Sequence, residues 1–438
     1  MTTPAQGTLP LNLRPALYAA LFLAVFAGFQ GGRYYLANRL QELGIACALL
    51  LFVVGVWQAL FRLDYAEWRR WTLTPVLLIG GIMGISSIVF VMNYAGNVVY
   101  SVFSAREFLL AFLGPGLYLL CRCGLPLPGV TRTIWVAFFA LMVNYLFFYF
   151  TMDLRQAFFS PDHTISNLVT YDEWRGFRLK PPLFAIMVAL LGSLALLLQR
   201  RGTTALLGAV TCISLAVYIW SIVMFRSTLA TMVLAIMLYP LVLAQKNRVK
   251  LVVVMLPLAL IAVPIAANLA VENFLAADGG SIRAKAFAKA LEHIAAPPIL
   301  GAGEDSAYGQ SYQDIVAPYF FPSDLGLVGV TYKYGLVGVL LYLFMHFKIL
   351  LSLWSANIAH RERVGRIDPL LWALLMFMTA QSFNLALNPG LAYAQGITLG
   401  TLALALASLE PTRHQPLVSP AALAPASDHR ILQSQAVE

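Results

Sequence analysis

The sequence predicts an all-α polytopic membrane protein with about twelve transmembrane helices. Three observations predict it. Of the 438 residues, 60% are hydrophobic and only 11% charged, with a mean hydropathy of +0.76. The apolar residues gather in runs long enough to cross a bilayer, which takes about 20 residues of helix. The basic residues gather in the short connections on one side of those runs. A soluble domain carries about 25% charged residues, and no soluble fold of this length has interior enough to hide so much apolar surface.

The candidate spans begin with 15–31, 43–61, 74–93, 104–121, 133–152 and 182–199. They continue with 204–222, 227–244, 250–269, 326–352, 369–388 and 391–408. An even number of spans puts both termini on one side. That side receives Arg62, Arg69 and Arg70, then Arg122 and Arg132, then Arg200 and Arg201. It also receives Lys246, Arg248 and Lys250, then Arg361, Arg363 and Arg366. Connections this rich in Lys and Arg mark the cytoplasmic face, so both termini are expected there. The first run lacks a basic leader and a small-residue cleavage site and reads as a retained helix. Residues 1–408 read as a single transmembrane domain, and 409–438, rich in Pro, Ala and Ser, as a disordered cytoplasmic tail.

The net charge of +9 does not imply nucleic acid, because the cations flank membrane spans rather than covering one domain. Cys47, Cys121, Cys123 and Cys212 fall inside or at the ends of apolar runs. They form neither a disulfide framework nor a zinc pattern.

Two longer segments face outward under this topology, 153–181 and 270–325, the second a large loop between the ninth and tenth helices. Loops of such length are commonly functional. In the second, Ser281 is placed to cap a helix over IRAKAFAKALEHIAA, residues 282–296. Ile282, Ala286, Phe287, Ala290, Leu291 and Ile294 form its apolar stripe, and Arg283, Lys285, Lys289 and His293 lie off it. Two readings stand: an interfacial helix with solvated cations, or an anion-binding wall. Pro297-Pro298 ends the helix, and Leu300-Gly301-Ala302-Gly303 follows, with glycines that permit close backbone approach. Glu304, Asp305 and an aromatic stretch through Tyr308, Tyr312, Tyr319, Phe320 and Phe321 come next.

Charges within apolar runs are costly and mark candidate sites. Arg106 and Glu107 fall at the outer end of the fourth span, Arg226 at the outer start of the eighth, and Asp324 and Lys333 at that of the tenth. Arg106 and Glu107 read either as a local pair or as part of a site. Arg226, flanked by apolar runs with no acid near it in sequence, wants a carbonyl or an anion. Together the cations describe an outer-face pocket for phosphate or pyrophosphate.

Three stretches now resemble the bacterial O-antigen polymerase and O-antigen ligase superfamily. The first is Phe225-Arg226-Ser227-Thr228-Leu229-Ala230, with phenylalanine where serine usually precedes the arginine. The second runs from Arg283 through its amphipathic stripe to Pro298-Ile299-Leu300-Gly301-Ala302-Gly303. The third runs from Asp324-Leu325-Gly326-Leu327 through Tyr334-Gly335-Leu336-Val337-Gly338. The resemblance implies a membrane glycosyltransferase of GT-C-like architecture in a bacterial inner membrane, acting at its periplasmic face on undecaprenyl-pyrophosphate-linked oligosaccharide and a glycan acceptor. A chain-length regulator is a further partner of such polymerases, and no cofactor, metal or nucleic acid is expected. By position, Arg226 and Arg283 would bind pyrophosphate and offset the charge that grows there as the glycosidic bond breaks. Asp324 would serve as base where ligases have histidine, with His293, Glu304 and Asp305 as fallbacks. Lys289, Lys333, Arg106, Gly301 and Gly303 would complete the substrate site. A polymerase for exopolysaccharide or O-antigen repeat units is the expected function. A ligase transferring polymer to lipid A-core is the alternative, and a transporter or flippase the alternative of another class.

Overall fold

The computed structural model describes residues 11–35, 39–94, 96–172, 176–199, 202–223, 231–233, 235, 278–294, 299–305, 311–385 and 390–410. The fold is overwhelmingly helical. The main helices are α1 Arg14–Gly28, α2 Arg39–Leu60, α3 Tyr65–Tyr94, α4 Val98–Ser104, α5 Leu113–Arg122 and α6 Leu127–Thr151. After them come α7 Leu183–Leu198, α8 Thr203–Val223, α9 Asp278–Ile294, α10 Gly326–Val364, α11 Pro369–Asn384 and α12 Ala394–Leu409. Among the described residues, six helices are long and apolar enough to cross a membrane, and α1, α7 and α12 are shorter apolar helices. The spans expected at 227–244 and 250–269 lie wholly or largely outside the described residues.

Helices that are apolar all round must meet protein or lipid on every face. Here they divide by position. In α11 nearly every residue from Pro369 to Met378 is buried, and α7 is buried along Phe184–Ser193. These form the centre with α1, α5 and α12, around Leu21, Val25, Phe138, Leu374 and Leu399. The most hydrophobic windows of α3 and α8 are only 22% buried, so those helices stand at the periphery, turned to lipid. Close helix crossings use small residues, as usual where no water drives helices together. A Cβ on Gly114 would lie 2.2 Å from the Thr401 carbonyl oxygen, and one on Gly44 would lie 2.0 Å from the Ala27 Cβ.

Two elements depart from the sequence expectation. The run 104–121 is not one regular helix. Asn97 caps α4 by accepting from the Val99 N–H at 2.9 Å, a 3-10 stretch spans Ala105–Phe112, and α5 begins at Leu113. Pro115 has no N–H to donate and belongs in a first helical turn, which favours restarting the helix there. Residues 153–181, expected only as an outward-facing segment, carry strands that an all-α fold does not include. Val169–Asp172 and Gly176–Leu179 form an antiparallel hairpin with Val169 opposite Leu179.

The connections fall into two sets, one at each end of the bundle. In one set Arg62 donates to the Cys123 carbonyl at 2.7 Å, Arg122 meets Glu67 at 2.6 Å, and Gln199 donates to the Ile367 carbonyl at 3.0 Å. In the other, Tyr34 donates to the Lys180 carbonyl at 2.6 Å, Asn144 to the Gly31 carbonyl at 3.1 Å, and Gln395 to Gln30 at 3.1 Å. Arg62 and Arg122, of the described basic connections, belong to the first set. The site described next belongs to the second.

Candidate functional site

Helix α10 breaks at Gly335, whose φ of 64° and ψ of −166° are not helical. In an unbroken α-helix the carbonyls of Tyr332 and Lys333 accept from residues four further on. Here the N–H groups of Ala302 and Gly303 donate to them, at 2.7 and 2.8 Å. The Val337 N–H in turn donates to the Ile299 carbonyl at 3.3 Å. The strip 299–305 is therefore stitched into the break. Its other side lies on α3: the Glu304 N–H donates to the Ser86 carbonyl at 3.2 Å, and Asn93 donates to the Gly301 carbonyl at 3.4 Å. Ser101 on α4 donates to the Glu304 carbonyl at 2.6 Å.

This backbone placement aims the Glu304 side chain at α10. Its Oε1 lies 2.6 Å from Lys333 Nζ, and its Oε2 accepts from the Tyr334 hydroxyl. Asp305 Oδ1 lies 3.2 Å from the same ammonium. The three charged side chains are only 12–22% exposed, so desolvation raises the strength of each contact. Behind them sits an aromatic nest. Tyr312 meets Phe90, Tyr332 and Phe320 edge-on at centroid distances of 5.8, 5.1 and 6.2 Å. Its hydroxyl donates to the Gly303 carbonyl at 2.7 Å, and burial pushes its pKa up. Ala286 and Ala290 of α9 pack on the nest. The apolar stripe read from the sequence thus faces protein at those positions, while Phe287 and Leu291 are exposed.

A cavity opens between these elements, with about 500 Å³ of atom-free space, its open mouth included. Glu107, Glu304, Lys333, Tyr334, Ser104 and Ser323 give it its polar wall. Glu107 accepts from Gln41 at 3.3 Å. Its sequence neighbour Arg106 turns instead to Glu42, at 2.7 Å, so Arg106 and Glu107 do not form a local pair.

The sequence candidates are thus partly assembled. Lys333, Glu304 and Asp305 come together. Asp324 is exposed in the 3-10 turn Pro322–Leu325, next to the cavity-lining Ser323, whose carbonyl accepts from Tyr393. Lys289 pairs with Glu292 at 3.0 Å on the outer side of α9, and His293 bonds back to the Lys289 carbonyl at 3.1 Å, its ring 6.3 Å from that of Tyr332. Gly301 and Gly303 do not form an open phosphate cradle, because the N–H groups of 302, 303 and 304 are all used by protein carbonyls. They serve close packing instead. Arg283 falls within α9, its side chain outside the described set, and Arg226 lies outside the described residues. The last described residue before Arg226 in this run is Val223, whose carbonyl accepts from Arg178 at 3.0 Å.

Sequence reading passed over Tyr334, Arg33 and Lys180. Tyr334 had a signal, its place in the third stretch beside Gly335. Arg33 and Lys180 had none, because nothing local reveals that two loops 146 residues apart meet through Tyr34 and Lys180. No protein-family model matches the sequence, and no curated protein matches it either.

Proposed function

We propose that this protein is a polysaccharide polymerase working at the end of the bundle that carries the Glu304–Lys333 cluster. That end lies opposite the connections of Arg62 and Arg122, so it is the periplasmic face if those connections are cytoplasmic. The observation that carries the reading is the cavity itself. Its wall holds Glu107 and Glu304, and Ser323, the neighbour of Asp324, lines it as well, within a bundle of long apolar helices. Carboxylates and tyrosines at a half-enclosed site suit hydroxyl-rich ligands, which they bind by hydrogen bonds and ring contact.

The reaction is a displacement at the anomeric carbon of a glycan held on undecaprenyl pyrophosphate. The hydroxyl of a second lipid-linked repeat unit supplies the electron pair of the new C–O bond. The old bond to pyrophosphate breaks, and its electrons leave with the phosphate oxygen. The hydroxyl proton passes to a carboxylate. Asp324 is the residue assigned to that step, since an exposed carboxylate next to the cavity-lining Ser323 can take the proton of an arriving hydroxyl. Arg226 and Arg283 are assigned to the leaving pyrophosphate, where fixed positive charge stabilises the transition state more than the ground state.

Arg226→Ala, Arg283→Ala and Asp324→Asn test the assignment through polymer length on gels at matched protein levels. Short or missing polymer is expected from each. Normal long chains from all three sink the reading. A deletion that leaves full polymer on the lipid carrier favours the ligase instead.

A further inference from the structure

Arg33 and Lys180 lie at the same end of the bundle as the cavity, on two segments far apart in sequence. Tyr34 holds them side by side, its hydroxyl donating to the Lys180 carbonyl at 2.6 Å. The Lys180 backbone is fixed again by donating to the Leu168 carbonyl at 2.8 Å. Arg33 is fixed by its Nη1, which donates to Gln30 Oε1 at 3.0 Å. The same Gln30 oxygen accepts from Gln395 at 3.1 Å, and Gln395 accepts from the Phe184 N–H at 3.3 Å. Gln30 has a φ of 62°, and among the described residues it is the non-glycine held in the left-handed region. Four segments thus cooperate to place one guanidinium.

The placement is electrostatically unfavourable as it stands. Burial first, and then the nearby Arg33, hold Lys180 below the usual lysine range. The carboxylates that face the pair are Asp324, toward Lys180, and Glu107, toward Arg33. Neither comes within ion-pair distance of Arg33 or Lys180. Apart from the Nη1 contact to Gln30, the Arg33 N–H groups have no hydrogen-bond partner among the described residues, and neither does the Lys180 ammonium. A fork of free guanidinium donors beside an ammonium matches the tetrahedral oxygens of a phosphate group.

We propose that Arg33 and Lys180 form a binding subsite for a phosphate-type oxyanion at the end of the bundle that holds the cavity. The subsite is additional to Arg226 and Arg283 and does not require the glycosyl-transfer reading. The oxyanion is either the pyrophosphate of a soluble or lipid-linked substrate or the headgroup of an anionic bilayer lipid.

Binding in nanodiscs separates these sources without turnover. Full-length protein in phosphatidylcholine discs is titrated with inorganic pyrophosphate by calorimetry. Saturable binding is expected, weakened roughly tenfold or more in Arg33→Gln and again in the Arg33→Gln/Lys180→Gln double variant, as loss of charged hydrogen bonds predicts. The titration is repeated in discs with phosphatidylglycerol as a third of the lipid. Competition there assigns the site to a lipid headgroup, and its absence to pyrophosphate. Either outcome supports the oxyanion. No saturable binding to the wild type, or unchanged affinity in the double variant, overturns the proposal. Should the glutamine variants fail to fold, Arg33→Lys keeps the charge but removes the guanidinium fork and is expected to weaken binding roughly threefold to tenfold, and wild-type affinity in that variant overturns the proposal. Weakened binding in a protein that makes no polymer retains this subsite and removes the polymerase reading. Unchanged binding in a protein that does make polymer does the reverse.

Discussion

Gly301 and Gly335 meet backbone against backbone. A Cβ on Gly301 would lie 2.5 Å from the Gly335 nitrogen, and one on Gly335 would lie 2.2 Å from the Ile299 carbonyl oxygen. Both have positive φ, 73° and 64°. The obstructing atoms are backbone, which cannot swing aside. Alanine at either place brings the strain of a left-handed residue plus a clash, a cost above about 2 kcal/mol. Gly80 and Gly84 on α3 have open space around them, and alanine there is expected to stabilise the helix by about 0.5–1 kcal/mol. Thermal unfolding in detergent checks both. A Gly301→Ala protein as stable as wild type would mean that the strip is not stitched into the break of α10.

Lys333 stands between Glu304 and Asp305, and its removal leaves two half-buried carboxylates together. Removing one partner of a fully buried pair costs about 3–5 kcal/mol. Partial exposure here reduces that, so Lys333→Met is expected to cost about 2–3 kcal/mol. Lys333→Met combined with Glu304→Gln is expected to recover part of the loss, because the uncompensated charge falls from two to one. A double-mutant cycle on unfolding free energies measures this coupling, and strict additivity would show that the three groups do not interact.

Much of the fold was legible because one rule, the length of apolar helix needed to cross lipid, acts on each segment by itself. The helices at 39–60 and 127–151 follow from it directly, while those at 14–28 and 183–198 are apolar helices shorter than the expected spans. The break in the fourth run was not, since hydropathy does not register that Pro115 restarts the helix. The Gly301-Ala302-Gly303 stretch was recognisable as a close approach, yet not what it approaches. A glycine pair tells that backbones meet, and only tertiary structure tells that the partner is the break at Gly335. Arg106 and Glu107 show the same limit. Adjacent residues diverge, one to Glu42 and one to the cavity, because a 3-10 stretch splays neighbours to different sides.

Lys180 gives stability a pH dependence. Its folded pKa is depressed, by burial first and then by Arg33, with Asp324 acting in the opposite direction. Between the folded and the unfolded values the unfolded chain binds more protons. Stability contributed by this group therefore rises with pH, over a window that ends near the ordinary lysine value of about 10.4. Melting temperatures of the wild type and of Lys180→Met, compared from pH 8 upward, isolate the effect. The wild type is expected to gain on the variant as pH rises, and a wild type that loses ground would reverse the sign of the argument.

Glu410 supplies a control at the opposite end of the bundle. It is 3% exposed by side chain, lies 2.7 Å from His360 Nδ1, and accepts from Arg363 as well. It thereby ties the last turn of α10 to the residue following α12. Glu410→Ala takes the carboxylate from buried His360 and from Arg363, and a cost of about 2–3 kcal/mol is expected, held down because Arg363 reaches solvent and still donates to the Ala359 carbonyl. Glu410→Gln keeps a hydrogen-bond acceptor and is expected to cost less. Neither residue touches the cavity or the Arg33–Lys180 pair. Pyrophosphate affinity per folded protein is therefore expected to stay at the wild-type level in both variants, while the melting temperature falls. Affinity that drops in step with stability would show that the loss in Arg33→Gln need not be local, and the comparison thus decides how that result is read.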